Sequence, residues 1–71
     1  VEKALIALAA AMAIAVTGLA TAWAQSRIGS AGAGAVAEKP EVSGTIIILM
    51  AIPETMVILG FVVAIMIILG I

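Results

Sequence analysis

Apolar residues fill two long stretches of the chain, Ala4 to Ala24 and Thr45 to Ile71, with most of the charged side chains gathered outside them. Each stretch exceeds the roughly 20 residues that carry an α-helix across about 30 Å of hydrocarbon at 1.5 Å per residue. The second is apolar all round, with Ile46, Ile47, Phe61, Val62 and Ile65 suited to an outer face against lipid. The pattern predicts an all-α membrane protein, a two-helix transmembrane antiparallel hairpin over residues 1–71.

Between the stretches lies "QSRIGSAGAGAVAEKPEVSG", whose middle is not loop chemistry. Alanine is the best helix former, and small residues let membrane helices approach closely. Gly18, Ala22, Ser26, Ser30 and Gly34 recur every four residues, a small-residue ladder that runs straight through the region. A flexible Gly/Ala linker is the alternative, opposed by the absence of proline or charge between Ile28 and Val36. Charge and proline break the pattern only at "EKPE". Helix 1 is therefore expected over about residues 2–38, a polar turn at about 39–42, and helix 2 over about 43–70. A hairpin turning between Lys39 and Pro40 sets Gln25 opposite Glu54, both roughly 21 Å from the turn at 1.5 Å per residue.

The N-terminal half supports a competing reading. Lys3, an apolar run and then Ala22-Trp23-Ala24 before Gln25 resemble a secretory signal with its cleavage site. The apolar run is longer than such signals use, and Glu2 offsets Lys3.

Composition narrows the function. The chain is 66% hydrophobic with a mean hydropathy of +1.46, whereas soluble domains average about 45–50% apolar residues. A chain of 71 residues could not hide that much apolar surface from water. A net charge of -1 gives no basic footprint for nucleic acid. Without cysteine or histidine there are no disulfides, no thiolate nucleophile and no common zinc site. Nothing resembles a phosphate-binding loop or a catalytic triad, so a non-catalytic role is expected, with no bound cofactor.

Glu54 stands out against this background as the only ionisable side chain between Thr45 and Ile71. Such a group at the centre of a membrane helix costs about 2.5–3.5 kcal/mol and by default marks an ion or proton path. An ion pair with Arg27 is the structural alternative, but Arg27 lies about 200° around helix 1 from Gln25. Pro53 cannot donate a backbone hydrogen bond to Leu49, which frees carbonyl oxygen near the carboxyl group. With Thr55 and Gln25, one hairpin offers a carboxylate, an amide, a hydroxyl and a loosened backbone at one level. These are oxygen ligands for a proton or a hard cation.

From "AQSRIGSAGAGAVAEKPE" to "IPETMVILGFVVAIMIILGI" the chain resembles the proteolipid rotor subunits of rotary ATPases, in particular the K or c subunits of archaeal, vacuolar and bacterial V/A-type enzymes. The P-E-T motif, the Gln25–Glu54 separation and the "EKPE" turn carry the resemblance. It implies identical subunits in a ring within the lipid bilayer, helix 1 inside and helix 2 outside, with the turn facing the cytoplasm. It also implies a stator subunit with a cationic residue as partner, and central-stalk subunits docking at the polar turn. Glu54 would load and release one cation per passage, coupling translocation to ATP synthesis or hydrolysis. For sodium, the resemblance maps the ligands onto Glu54, Gln25, Thr55 and the carbonyl of Ile52. The sequence departs from sodium-binding relatives at Met56 and Leu59, where polar groups are frequent, so H+ is favoured slightly and Na+ stays open. The alternative function is a small structural or pore-forming hairpin, holin-like or an assembly factor, which has no reason to set Gln25 and Glu54 at equal depth.

Overall fold

The computed structural model describes all of residues 1–71. Helix α1 spans Glu2–Glu38, a single 3-10 turn covers Pro40–Val42, and helix α2 spans Ser43–Leu69. The two helices lie antiparallel against each other in a hairpin 55 Å long. The all-α hairpin expected from the two apolar stretches is the fold observed.

Local chemistry explains where each helix stops. Lys39 leaves helical geometry (φ -134°, ψ 89°) because the residue before a proline is crowded out of the α region. Its N–H still donates to the Ala35 carbonyl at 2.8 Å, and the Val42 N–H donates to the Lys39 carbonyl at 3.0 Å, which closes the turn. Helix α2 ends at Gly70, whose φ of 74° is left-handed and cheap only for glycine. The Ile71 N–H then reaches back to the Met66 carbonyl at 2.9 Å.

Only 6 of 71 residues are buried, and Leu19, Ile47, Leu59 and Leu69 are each more than 60% exposed. A water-soluble protein does not display large aliphatic side chains along both of its helices, so the surrounding medium is lipid. The chain is an integral membrane protein.

The seam between the helices is set by size and not by polarity. Val42, Ile46, Met50, Pro53, Val57, Gly60, Ala64 and Ile67, in steps of three and four, are the less exposed positions of α2. They face a stripe of α1 that includes Ala10, Thr17, Thr21, Gly29 and Gly32. Small residues meet large ones across it: a Cβ on Gly32 would lie 2.5 Å from Ile46 Cγ2, and one on Gly29 would lie 3.7 Å from Met50. At Gly60 an added Cβ would run into the Thr17 side chain and come 2.8 Å from the Ala13 carbonyl oxygen.

One expectation is corrected by this seam, and the small-residue ladder is only partly on it. Ile46 belongs to it, half-buried against Gly32, and not to the lipid face. The small-residue ladder is not one contact strip. Each four-residue step overshoots a full turn by about 40°, so Gly18 and Gly34 point about 160° apart. Gly18 faces Val57, 3.9 Å from where its Cβ would be, whereas Gly34 has nothing within 4 Å.

The close approach at Gly60 generates a stability test. Gly60→Ala should destabilise the hairpin by about 1–3 kcal/mol through overpacking. Gly44→Ala, with open space around it, should be neutral or slightly stabilising. Unfolding followed by helical circular dichroism in mixed micelles measures both, and equal effects would contradict the seam.

Candidate functional site

Five residues from the middle of the seam converge. On α1, Thr21 and Gln25 are one turn apart on the same face. On α2, Met50, Pro53 and Glu54 lie opposite them. Gln25 Nε2 donates to Glu54 Oε2 at 2.8 Å and to the Met50 carbonyl at 3.1 Å. Thr21 Oγ1 donates to the Pro53 carbonyl at 2.8 Å, in a buried bond.

The helices make this arrangement possible by being irregular in chemistry yet regular in path. Helix α2 continues through Pro53, which is itself buried against α1. Proline removes one donor from the α2 ladder, and α1 supplies side-chain donors to the backbone on both sides of it. The carbonyls approached are those of Met50 and Pro53.

Of the four candidates read from the sequence, the structure brings Gln25 and Glu54 into direct contact, and Thr55 and Ile52 into contact with each other. Thr55 Oγ1 donates to the Ile52 carbonyl at 2.6 Å, an exposed bond within α2. Glu54 is exposed in the hairpin, so its carboxyl group is held from one side by Gln25 and open on the other. Arg27 does not pair with Glu54. Its guanidinium stacks over the Trp23 ring on its own helix, 5.4 Å from the centroid.

The sequence reading missed Thr21. Its signal was available, since a threonine four residues before Gln25 must share the glutamine's face. A hydroxyl in an apolar helix usually bonds its own backbone, as Thr17 does to the Ala13 carbonyl at 2.7 Å, and so attracts no notice.

Chemically, the cluster presents one exchangeable carboxyl group with an amide at hydrogen-bond distance, between two helices and open to one flank. It can take up and release a proton, or contribute oxygen ligands to a hard cation. It contains no nucleophile and no acid–base pair for covalent catalysis. Fold and site together define a two-span membrane proteolipid with a single carboxyl group in its helical interior. The family model for the C subunit of ATP synthase matches residues 8–67, and the chain belongs to that family of non-catalytic proteolipid subunits. It is similar to the K subunit of the A-type ATP synthase of Methanocaldococcus jannaschii, with 41% identity over 61 residues. That alignment covers 86% of this chain and 28% of the relative, so the chain spans under a third of the relative's length. The family match runs across the junction at Ala24–Gln25 that resembled a signal cleavage site, and α1 is continuous there. Membership also displaces the holin-like alternative.

Removing Arg27 decides between a stacked and a paired cation. Arg27→Gln should cost no more than about 0.5–1 kcal/mol, the scale of an exposed cation–π contact. Breaking a buried ion pair costs about 3–5 kcal/mol. Unfolding in mixed micelles separates the two values, and a loss in the larger range would restore an Arg27–Glu54 pair.

Proposed function

We propose that this hairpin is a rotor-ring subunit of a rotary ATP synthase or ATPase, in which Glu54 carries one cation per hairpin. The observation that carries this reading is the 2.8 Å bond from Gln25 to Glu54 across the seam. It joins the only carboxyl group between Thr45 and Ile71 to an amide on the other helix, while leaving it open on one flank. A carboxyl group so placed can exchange its cation from the side without unfolding the hairpin.

Identical copies side by side would cover that flank. The exposed face of α1 carries Ala22, Ser26, Ser30 and Gly34, which allow close backbone approach and suit the inner wall of a ring. The exposed face of α2 carries Ile47, Ile48, Leu59 and Phe61, which suit lipid outside it. An ionised Glu54 turned toward lipid costs about 2.5–3.5 kcal/mol, so the ring moves easily only with the cation loaded. A stator subunit with a cationic residue would discharge the site, and rotation would couple ion flow to ATP synthesis or hydrolysis. The turn, with Lys39 and Glu41 exposed, is the docking surface for central-stalk subunits on the cytoplasmic side.

Between the two candidate cations this reading leans slightly to H+, with Na+ as the alternative. The Thr55 hydroxyl donates to the Ile52 carbonyl. Met56 and Leu59 add no ligand nearby. A proton needs only the carboxyl group itself.

Glu54 should react with a hydrophobic carbodiimide, which modifies protonated carboxyl groups within lipid, while Glu2, Glu38 and Glu41 should not react comparably. Glu54→Gln should abolish ion translocation and leave assembly intact. With protons as cargo, labelling follows pH and ignores millimolar Na+; slowing by Na+ near neutral pH would reverse the choice of ion. Labelling on another glutamate would remove Glu54 from the transport site.

A further inference from the structure

Thr21 is the one buried polar residue of the hairpin, at 4% exposure, and the function proposed for Glu54 does not use it. Its hydroxyl crosses the seam to the Pro53 carbonyl at 2.8 Å, and that carbonyl belongs to the peptide linking Pro53 to Glu54. Gln25, one turn along the same face of α1, bonds the Met50 carbonyl and the Glu54 carboxyl group. Two donors on α1 thus grip the α2 backbone on either side of the point where proline removes a donor from its ladder.

We propose that Thr21 is a positioning residue for Glu54: by holding the Pro53–Glu54 peptide it aims the Glu54 carboxyl group at the Gln25 amide within a single hairpin. The inference rests on Glu54 being the exchanging carboxyl group. Thr21 does not touch the cation, because it is buried in the seam and its proton is committed to the Pro53 carbonyl. It acts through the peptide plane. A rotation of that peptide swings the first atom of the Glu54 side chain, and a displacement on the order of 1 Å lengthens a 2.8 Å hydrogen bond beyond its useful range.

The threonine suits this task better than its alternatives. Its methyl group is buried with it in the seam and its hydroxyl supplies the donor, so one side chain both packs and orients. Valine keeps the shape and loses the donor. Serine keeps the donor and loses a methyl group.

The test is carbodiimide labelling of Glu54 in the assembled protein in its membrane, at one pH, in parent, Thr21→Val, Thr21→Ser, Gln25→Leu and Thr21→Val/Gln25→Leu. The bond from Gln25 engages one carboxyl oxygen of Glu54, so loosening that contact frees the group to react. Thr21→Val should label roughly three- to tenfold faster than the parent, the loss of about one hydrogen bond's worth of restraint. Thr21→Ser should stay within about twofold of the parent, because the hydroxyl is retained. In the Gln25→Leu background Thr21→Val should add nothing, since the contact it supports is already gone. A purely structural role would lower thermal stability of the assembly and leave the rates and their dependence on Gln25 untouched, which would overturn the proposal. An equal acceleration in both backgrounds would overturn it as well. If Thr21→Val does not assemble, Thr21→Ala removes the same donor without steric conflict and is read in the same way. Failure of Glu54 to label in the parent would defeat the carrier reading itself, a result distinct from equal labelling of parent and Thr21→Val.

Discussion

A carboxyl group inside a membrane helix has to be met by protein, and in this chain it is met by Gln25. The rest of the hairpin is arranged around that contact. It requires two helices at matched depth, so it constrains where the chain turns. It requires close backbones at the level of Glu54, and Gly29 below the contact and Gly18 above it leave room for Met50 and Val57. It also requires that α2 accept side-chain donors from α1, which the interruption at Pro53 accommodates. Moving the turn by a single residue would rotate every seam position by about 100° and separate the amide from the carboxyl group.

The seam carries no hydrophobic asymmetry because none is available in lipid. Helix association there rests on packing and on cross-helix hydrogen bonds worth about 0.6 kcal/mol each on average. Packing is supplied by glycine set against isoleucine and methionine, and by Thr17 set against Gly60. Hydrogen bonding is supplied by Thr21 and Gln25, the same residues that shape the carboxyl site. Stability and function therefore share their atoms. A substitution at the centre of this seam will seldom affect one alone.

The two-helix fold was legible from two apolar stretches separated by charge and proline. The choice of helix faces was not. An α2 that is apolar all round offers no stripe, so Ile46 read as a lipid-facing residue although it packs on Gly32. The four-residue ladder marked continuous helix through residues 18–34, although a strict four-residue repeat drifts around a helix of 3.6 residues per turn and so does not mark one face. Within the site, Gln25 and Glu54 could be paired from register alone, being strongly polar and alone at their level. Thr21 shares the face of Gln25 four residues on, but it drew no notice because a threonine can spend its hydroxyl on its own helix, as Thr17 does. Thr55 follows Glu54 on α2, and its hydroxyl donates to the Ile52 carbonyl.

The distance between the Gln25 side-chain nitrogen and the Glu54 carboxyl carbon tests the central contact most directly. It is accessible to solid-state magnetic resonance on protein carrying ¹⁵N in glutamine side chains and ¹³C in glutamate carboxyl groups, assembled in lipid. Gln25 is the only glutamine in the chain, so the nitrogen signal is unambiguous. A nitrogen–oxygen bond of 2.8 Å places that carbon within about 4 Å of the nitrogen, close enough for strong dipolar dephasing. Strong dephasing that vanishes in Glu54→Ala, which adds no second glutamine, is expected if the amide holds the carboxyl group as described. Dephasing as weak as for atoms more than about 6 Å apart, in protein whose helices are intact, would contradict it, because no hydrogen bond spans that distance.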